Sequence, residues 1–205
     1  MSFTILISIV FFLLIIISFL LKSNKIIMTI FVIAAVISIR IFIVQAYKMR
    51  AGSMLPTILI GDYILVNKYI YRFSDPKRGD LVIFPLPNKP DAKYVKRIVA
   101  LEGDKLEIKE KKVFINGQQI VEPYAITSDN NILQPGLSPR DTFGPVIVPE
   151  KHVFVLGDNR DNSNDSRFFG FVKKETVKAR AQVVYFSIDQ DNNTIRWNRI
   201  GRLLN

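Results

Sequence analysis

The chain has no cysteine among its 205 residues. That absence excludes a thiol nucleophile, cysteine-held zinc and disulfide bonds, and it suits life outside the cytoplasm. Histidine is nearly as scarce. His152 is the only one, in Pro149-Glu150-Lys151-His152-Val153-Phe154. It sits at the start or edge of an apolar run, where a satisfied surface role fits better than catalysis. Acidic residues are in the minority, 18 against 28 Lys and Arg, for a net charge of +10. The first 44 residues hold three basic side chains and no acidic one, so the remainder carries +7. Such a balance invites a nucleic-acid reading, but helix-turn-helix, zinc-finger and aromatic RNA-reading motifs are all missing. A basic domain held against an anionic lipid surface accounts for the charge, with no nucleic acid among its partners.

What the sequence has in excess is apolar residues, 49% of the chain, and the excess is local. Phe3–Leu21 carries no charge and only Thr4, Ser8 and Ser18 as polar side chains. Ile26–Val44 is interrupted only by Thr29, Ser38 and Arg40. Each stretch is 19 residues long, enough for a helix to cross the roughly 30 Å hydrocarbon layer. A cleaved leader is disfavoured, because no Lys or Arg precedes the first stretch and no small-x-small site precedes Lys22. Buried core helices are disfavoured by apolarity on every face. The expectation is a membrane anchor over 1–45, with helices at about 3–21 and 26–44 and a loop at 22–25. Two lysines in that short loop favour the cytoplasm for it.

After Val44 the pattern changes to short β-like runs. Tyr63–Val66, Leu81–Phe84, Tyr94–Leu101, Lys105–Lys109, Lys112–Ile115, Val153–Leu156 and Ala179–Ser187 are rich in Val, Ile, Phe and Tyr. Asn116-Gly117 marks a two-residue hairpin turn. No long amphipathic helix is expected beyond residue 50. The fold expected for 46–205 is therefore mostly β and antiparallel, a β domain behind two transmembrane helices. About 123–149, with five prolines, reads as a loop-rich, exposed excursion. Phe84-Pro85-Leu86-Pro87 has two readings, a dip into the headgroup zone or a core role for Phe84.

Three polar runs stand out. Arg50-Ala51-Gly52-Ser53-Met54-Leu55-Pro56-Thr57 lies just past the second apolar stretch. Tyr94-Val95-Lys96-Arg97 follows some forty residues later, and Gly157 to Arg167 is dense in Asp, Asn and Arg. A serine hydroxyl needs a proton acceptor to act as a nucleophile. With histidine set aside, a lysine is the remaining base. At an ordinary pKa it is neutral in only about one molecule in 2,500 at pH 7, and a pKa near 8 raises that to roughly a tenth. Burial among apolar groups produces such a shift. Lys96 has Val95, Ile98 and Val99 around it, and on a strand it points away from the side of Arg97. Lys93 and Lys105 are its nearest rivals. The acidic residues of the third run do not suit a metal, because Arg160 and Arg167 lie among them.

Anchor, serine, lysine and polar cluster, in that order, resemble the bacterial type I signal peptidases, and the resemblance runs from about Arg40 to Arg202. It implies a membrane-bound serine endopeptidase that removes N-terminal signal peptides by a Ser–Lys dyad, after small-x-small, with no cofactor. It places the domain on the extracytoplasmic face of the bacterial cell membrane. By resemblance Ser53 is the nucleophile and Lys96 the base. Ser163 would hydrogen-bond Lys96, Asp165 would pair with Arg167, Asp158 with Arg97, and Gly157 would give room beside the dyad. Pocket walls would come from Met49, Ala51, Met54, Ile58, Tyr94 and Val95. The family usually reads Ile-Pro-Ser-Gly-Ser-Met before Pro-Thr, whereas this chain has Ala51 where a serine lends its hydroxyl to the oxyanion hole.

Other readings share parts of this pattern. A specialised peptidase maturing pilins or conjugation proteins would keep the dyad. Self-cleaving repressors of the LexA type share the chemistry but need a DNA-binding domain. A membrane-anchored β module that binds exported peptides without cutting them would have no use for Ser53, Lys96 and Ser163 together.

Overall fold

The computed structural model describes residues 44–86, 89–134 and 136–204, with 25, 28–29 and 32–34 of the N-terminal segment. The chain divides into two units, Met1–Gln45 and Ala46–Asn205. In the first, residues 25, 28–29 and 32–34 are helical, Val44 and Gln45 begin a strand, and Thr29 Oγ1 donates to the Lys25 carbonyl at 3.0 Å. Among the described residues no helix is long and apolar enough to cross a membrane. The two spans expected at about 3–21 and 26–44 lie for the most part outside the described residues.

The second unit is mostly antiparallel β. Its strands are β1 (Val44–Lys48), β2 (Asp62–Asn67), β3 (Leu81–Leu86), β4 (Lys89–Leu101), β5 (Lys105–Lys109), β6 (Lys112–Ile115), β7 (Gln118–Gln119), β8 (Phe143–Ile147), β9 (His152–Leu156), β10 (Val172–Lys173), β11 (Ala179–Asp189) and β12 (Thr194–Ile195). A four-residue helix, α1, spans Ser166–Phe169. One sheet runs β1-β2-β11-β3-β4-β9-β10, with β12 beside β11, and the other runs β7-β6-β5-β8.

Local sequence explains these elements. β2 alternates buried and half-buried residues, as a strand with one covered face does. In β3, Leu81–Phe84 is buried throughout, so both faces are covered. Asn116 and Gly117 both take positive φ, 52° and 83°, the conformation a tight hairpin between β6 and β7 requires. Long β4 is the spine of the unit. It pairs with β3 through Val82↔Lys96 and Leu81↔Arg97, and with β9 through Arg97↔Leu156 and Ile98↔Val155.

Three apolar clusters fill the interior. One joins Met49, Met54, Ile58, Ile64 and Leu81, a second Val99, Leu106, Ile108, Val113 and Phe154, and a third Val82, Phe84, Ile98, Val153 and Val155. Phe84 is fully buried and stacks near Tyr94 and Phe169 at 6.5 and 6.0 Å. Its role is core, and the headgroup reading does not hold for it. Pro87 lies outside the described residues.

The 123–149 run differs from a plain exposed loop. It ends in β8, which pairs with β5. Gly144 and Pro145 mask that strand in the sequence, yet β8 is an edge strand, where proline is tolerated. Gly144 takes φ 83°, and a β-carbon there would come within 2.8 Å of the Leu106 carbonyl. Earlier in the run, Arg140 pairs with Asp141 at 2.8 Å and Asp129 at 3.0 Å. Asp161 of the third polar run accepts from the Ser128 and Asp129 amides at 2.8 Å. The excursion is thereby fastened to that run.

Candidate active site

Residues 52–58 form a compact turn leading to β2. Leu55 N donates to the Gly52 carbonyl, and Ile58 N to the Met54 carbonyl, at 3.2 and 2.9 Å. This turn presents Ser53 to β4. Lys96 Nζ donates to Ser53 Oγ at 2.6 Å. Lys96 is 2% exposed. Burial, the largest influence, pushes its pKa down to about 8; Asp165 pulls it up, Arg167 pushes it down and Asp158 pulls it up. At that value roughly a tenth of the side chain is a free amine at pH 7, able to take a proton from the hydroxyl it touches.

Arg97, the next residue, turns to the other side of the strand and into its own pair. Its Nε and Nη2 each donate to Asp158 at 2.9 Å, with both side chains all but inaccessible. Nη1 donates to the Gly79 carbonyl at 2.9 Å. Thr57 Oγ1 completes the Asp158 environment at 2.6 Å. Arg167 holds Asp165 through Nε and Nη2, both at 2.8 Å, and Asp165 also accepts from Gly157 N at 3.1 Å. The ion pairs implied for Asp158 and Asp165 are thus present in the geometry, and Asp161 is matched by Lys111 at 2.9 Å.

Gly157 packs closely against Ser163 and the serine turn. A β-carbon at 157 would overlap Ser163 Oγ and come within 2.5 Å of the Ser53 carbonyl. That carbonyl accepts from Asn159 N at 3.1 Å, and Asn159 Nδ2 donates to the Gly52 carbonyl at 3.1 Å. One expected contact is not formed. Among the described residues Ser163 Oγ is buried without a hydrogen-bond partner and lies over Gly157, and Lys96 Nζ donates to Ser53 instead. His152 opens β9 at the surface, its Nδ1 2.7 Å from the Glu150 carbonyl oxygen.

The residues expected to line a pocket separate into two groups. Met49, Met54 and Ile58 are buried together, with Val95 against them. Tyr94 packs instead with Phe84 in the third cluster, as alternation along β4 requires. Ala51 is exposed beside the turn. Sequence reasoning missed Thr57, Asn159 and Arg160 as structural partners, although all three lie inside or beside the quoted runs. It also missed Glu122 and Tyr124, for which no local pattern was available.

Known proteins resemble the chain over most of its length. The model of the family described as signal peptidase, peptidase S26, matches residues 21–186. Signal peptidase I of Aquifex aeolicus is 36% identical over 207 residues, covering 76% of this chain and 81% of its own. Signal peptidase I of Bacillus amyloliquefaciens is 37% identical over 157 residues, covering 76% and 83%. Signal peptidase I S of Bacillus subtilis is 36% identical over 167 residues, covering 80% and 89%. A crystal structure of a signal peptidase I from Enterococcus faecalis overlaps with a TM-score of 0.43 at 33% identity, over 52% of this chain and 97% of that one. The family match, with the extent and identity of the three related sequences, places the chain in the signal peptidase family, peptidase S26, as a serine endopeptidase.

Proposed function

We propose that the protein is anchored in the bacterial cell membrane and removes signal peptides from exported proteins with Ser53 as nucleophile and Lys96 as general base. The observation that carries this reading is the 2.6 Å contact between Lys96 Nζ and Ser53 Oγ, made by a lysine whose burial favours the neutral amine.

The amine takes the Ser53 proton as Oγ attacks the carbonyl carbon of the scissile bond. The resulting oxyanion is held by the Ser53 backbone N–H, since Ala51 has no hydroxyl to add. The ammonium then protonates the leaving amine, and the mature protein departs. A water, deprotonated by the regenerated amine, hydrolyses the acyl-enzyme and releases the signal peptide.

The substrate binds as an added strand beside the serine turn. Met49, Met54, Ile58 and Val95 fill the space next to it, so only small side chains fit just before the cut. Residues 3–21 and 26–44 form the anchor, with the Lys22–Lys25 loop in the cytoplasm and the catalytic unit on the extracytoplasmic face. The partners are exported preproteins and the bilayer, and neither metal nor nucleic acid takes part.

The test uses the full chain in detergent with one preprotein. Wild type is expected to cut after a small-x-small site, located by product mass. Ser53→Ala and Lys96→Ala are each expected to be inactive yet folded, and their combination to cost little more. Because Lys96 acts as the free amine, the rate is expected to rise with pH through about 8. A rise through about pH 4–5 followed by a plateau to 10 would point to a carboxylate base, and an active Lys96→Ala would remove Lys96 from the role.

A further inference from the structure

The turn Glu122-Pro123-Tyr124 lies outside the three polar runs, yet both of its polar side chains close on them. Glu122 receives Arg160 at two points, from Nη1 at 2.7 Å and Nη2 at 2.6 Å. The two side chains are 8% and 5% exposed. The remaining donor of Arg160, Nε, goes to the Gly157 carbonyl at 3.1 Å. Main chain reinforces the contact: Ile126 N donates to the Asp158 carbonyl at 2.8 Å, and Arg160 N to the Ile126 carbonyl at 2.9 Å. Tyr124 lies over the guanidinium of Arg97, with Cζ 3.8 Å from the ring centroid. Its hydroxyl donates to Glu122 at 3.1 Å.

These contacts reach the reacting groups in two short steps. Arg160 and Ile126 hold residues 157–159, and Asn159 holds the Ser53 carbonyl. Tyr124 covers one face of Arg97, whose other contacts are Asp158 and the Gly79 carbonyl. A buried two-point ion pair and a stacked guanidinium fix geometry more than they add net stability.

We propose that Glu122, Tyr124 and Arg160 are positioning residues for peptide cleavage, locking the Gly157–Asn159 main chain against the Ser53 turn and the Arg97 guanidinium against Asp158, on the face of β4 opposite Lys96. The proposal rests on the serine–lysine reading of the site. None of the three touches the reacting atoms. They act through Gly157, Asn159 and Arg97. Displacing a catalytic group by about an ångström can cost about a hundredfold in rate, whereas the apolar pocket residues Met49, Met54 and Ile58 belong to a separate cluster. The loss therefore falls on kcat and spares KM.

The experiment measures kcat and KM on one preprotein for the full chain in detergent, with a thermal melt for each variant and Ser53→Ala as control. Glu122→Gln and Arg160→Lys are each expected to lower kcat about tenfold or more, with KM within about threefold. Their double variant is expected to lose about as much as either alone, because the two side chains form one unit. Tyr124→Leu is expected to lose about tenfold in kcat. Tyr124→Phe, which keeps the stacked ring, is expected to stay within about threefold of wild type. A cleaving Ser53→Ala protein would remove the underlying reading of the site. With Ser53→Ala inactive, the positioning role alone is overturned by kcat within twofold of wild type in folded Glu122→Gln and Tyr124→Leu. It is equally overturned by losses that appear in KM, or by equal losses for Phe and Leu at 124. If Glu122→Gln does not fold, the Tyr124 pair decides, since both leave the Glu122–Arg160 pair intact.

Discussion

A buried lysine kept as a base has a thermodynamic signature that does not require substrate. In the unfolded chain Lys96 has its ordinary pKa of 10.5, and in the fold about 8. That difference corresponds to about 3 kcal/mol. The sign follows from proton counts. Between pH 8 and 10.5 the unfolded chain still binds the proton and the folded one does not, so stability rises with pH across that window. Below pH 8 the whole cost is present, and above 10.5 it has vanished. Replacing Lys96 by Met, of similar length and without charge, removes the cost. Lys96→Met is thus expected to be more stable than wild type by up to about 3 kcal/mol at pH 7, less the lost contact with Ser53 Oγ, which is worth about 1 kcal/mol. The advantage is expected to shrink steadily from pH 8 and, with the lost contact counted, to be gone by about pH 10. Urea unfolding of both proteins at pH 6.5, 8, 9 and 10, read as the difference in midpoint at equal slope, measures it. A difference that is zero or negative at pH 7 and indifferent to pH would mean that Lys96 is as readily charged inside the fold as outside. The proposed base would then have no physical support.

Three further outcomes follow from single positions. Ala51→Ser adds a hydroxyl two residues before Ser53 and is expected to raise kcat several-fold with KM nearly unchanged, because an oxyanion donor acts only in the transition state; an unchanged kcat in a folded variant would mean that another group already fills the hole. Gly157→Ala is expected to lose at least a hundredfold in kcat/KM, since its methyl would overlap Ser163 Oγ and crowd the Ser53 carbonyl; full activity would show that this approach is not needed. His152→Ala is expected to cleave within twofold of wild type, its ring being turned to the Glu150 carbonyl, and an inactive variant would revive a serine–histidine mechanism.

The strands visible in sequence were those whose own residues carry the signal. β5 and β6 fall where the Val, Ile and Phe runs put them, and the Asn116-Gly117 turn joins β6 to its neighbour as its composition implies. β4 begins at Lys89 instead of Tyr94, because pairing with β3 recruits a segment whose Pro90 and Asp91 look like a turn. β8 and the two-residue strands β7, β10 and β12 had no local signature and exist through their partners. The site divides in the same way. Ser53, Lys96 and the Arg97–Asp158 and Arg167–Asp165 pairs sit in runs that could be matched as words. Glu122 and Tyr124 could not be found so, since their meaning lies in Arg160 and Arg97, 38 and 27 residues away along the chain. The Ser163 contact with Lys96 was legible only as a family habit, and the side chain lies over Gly157 instead.

The order in which the site's parts occur along the chain sets when it can first exist. Ser53 and Lys96 are made early, but the carbonyl of Ser53 waits for Asn159 and Thr57 waits for Asp158, 101 residues later. β2, which follows the serine turn, gains its second neighbour only from β11. Asp62 at its start waits for Arg199, 137 residues later. A growing chain therefore carries Ser53 and Lys96 through most of its synthesis without these contacts to hold them. Long-range closure of this kind is slow to form, so the contacts that hold the serine turn can close only after Asn159, Asp158 and Arg199 have been made.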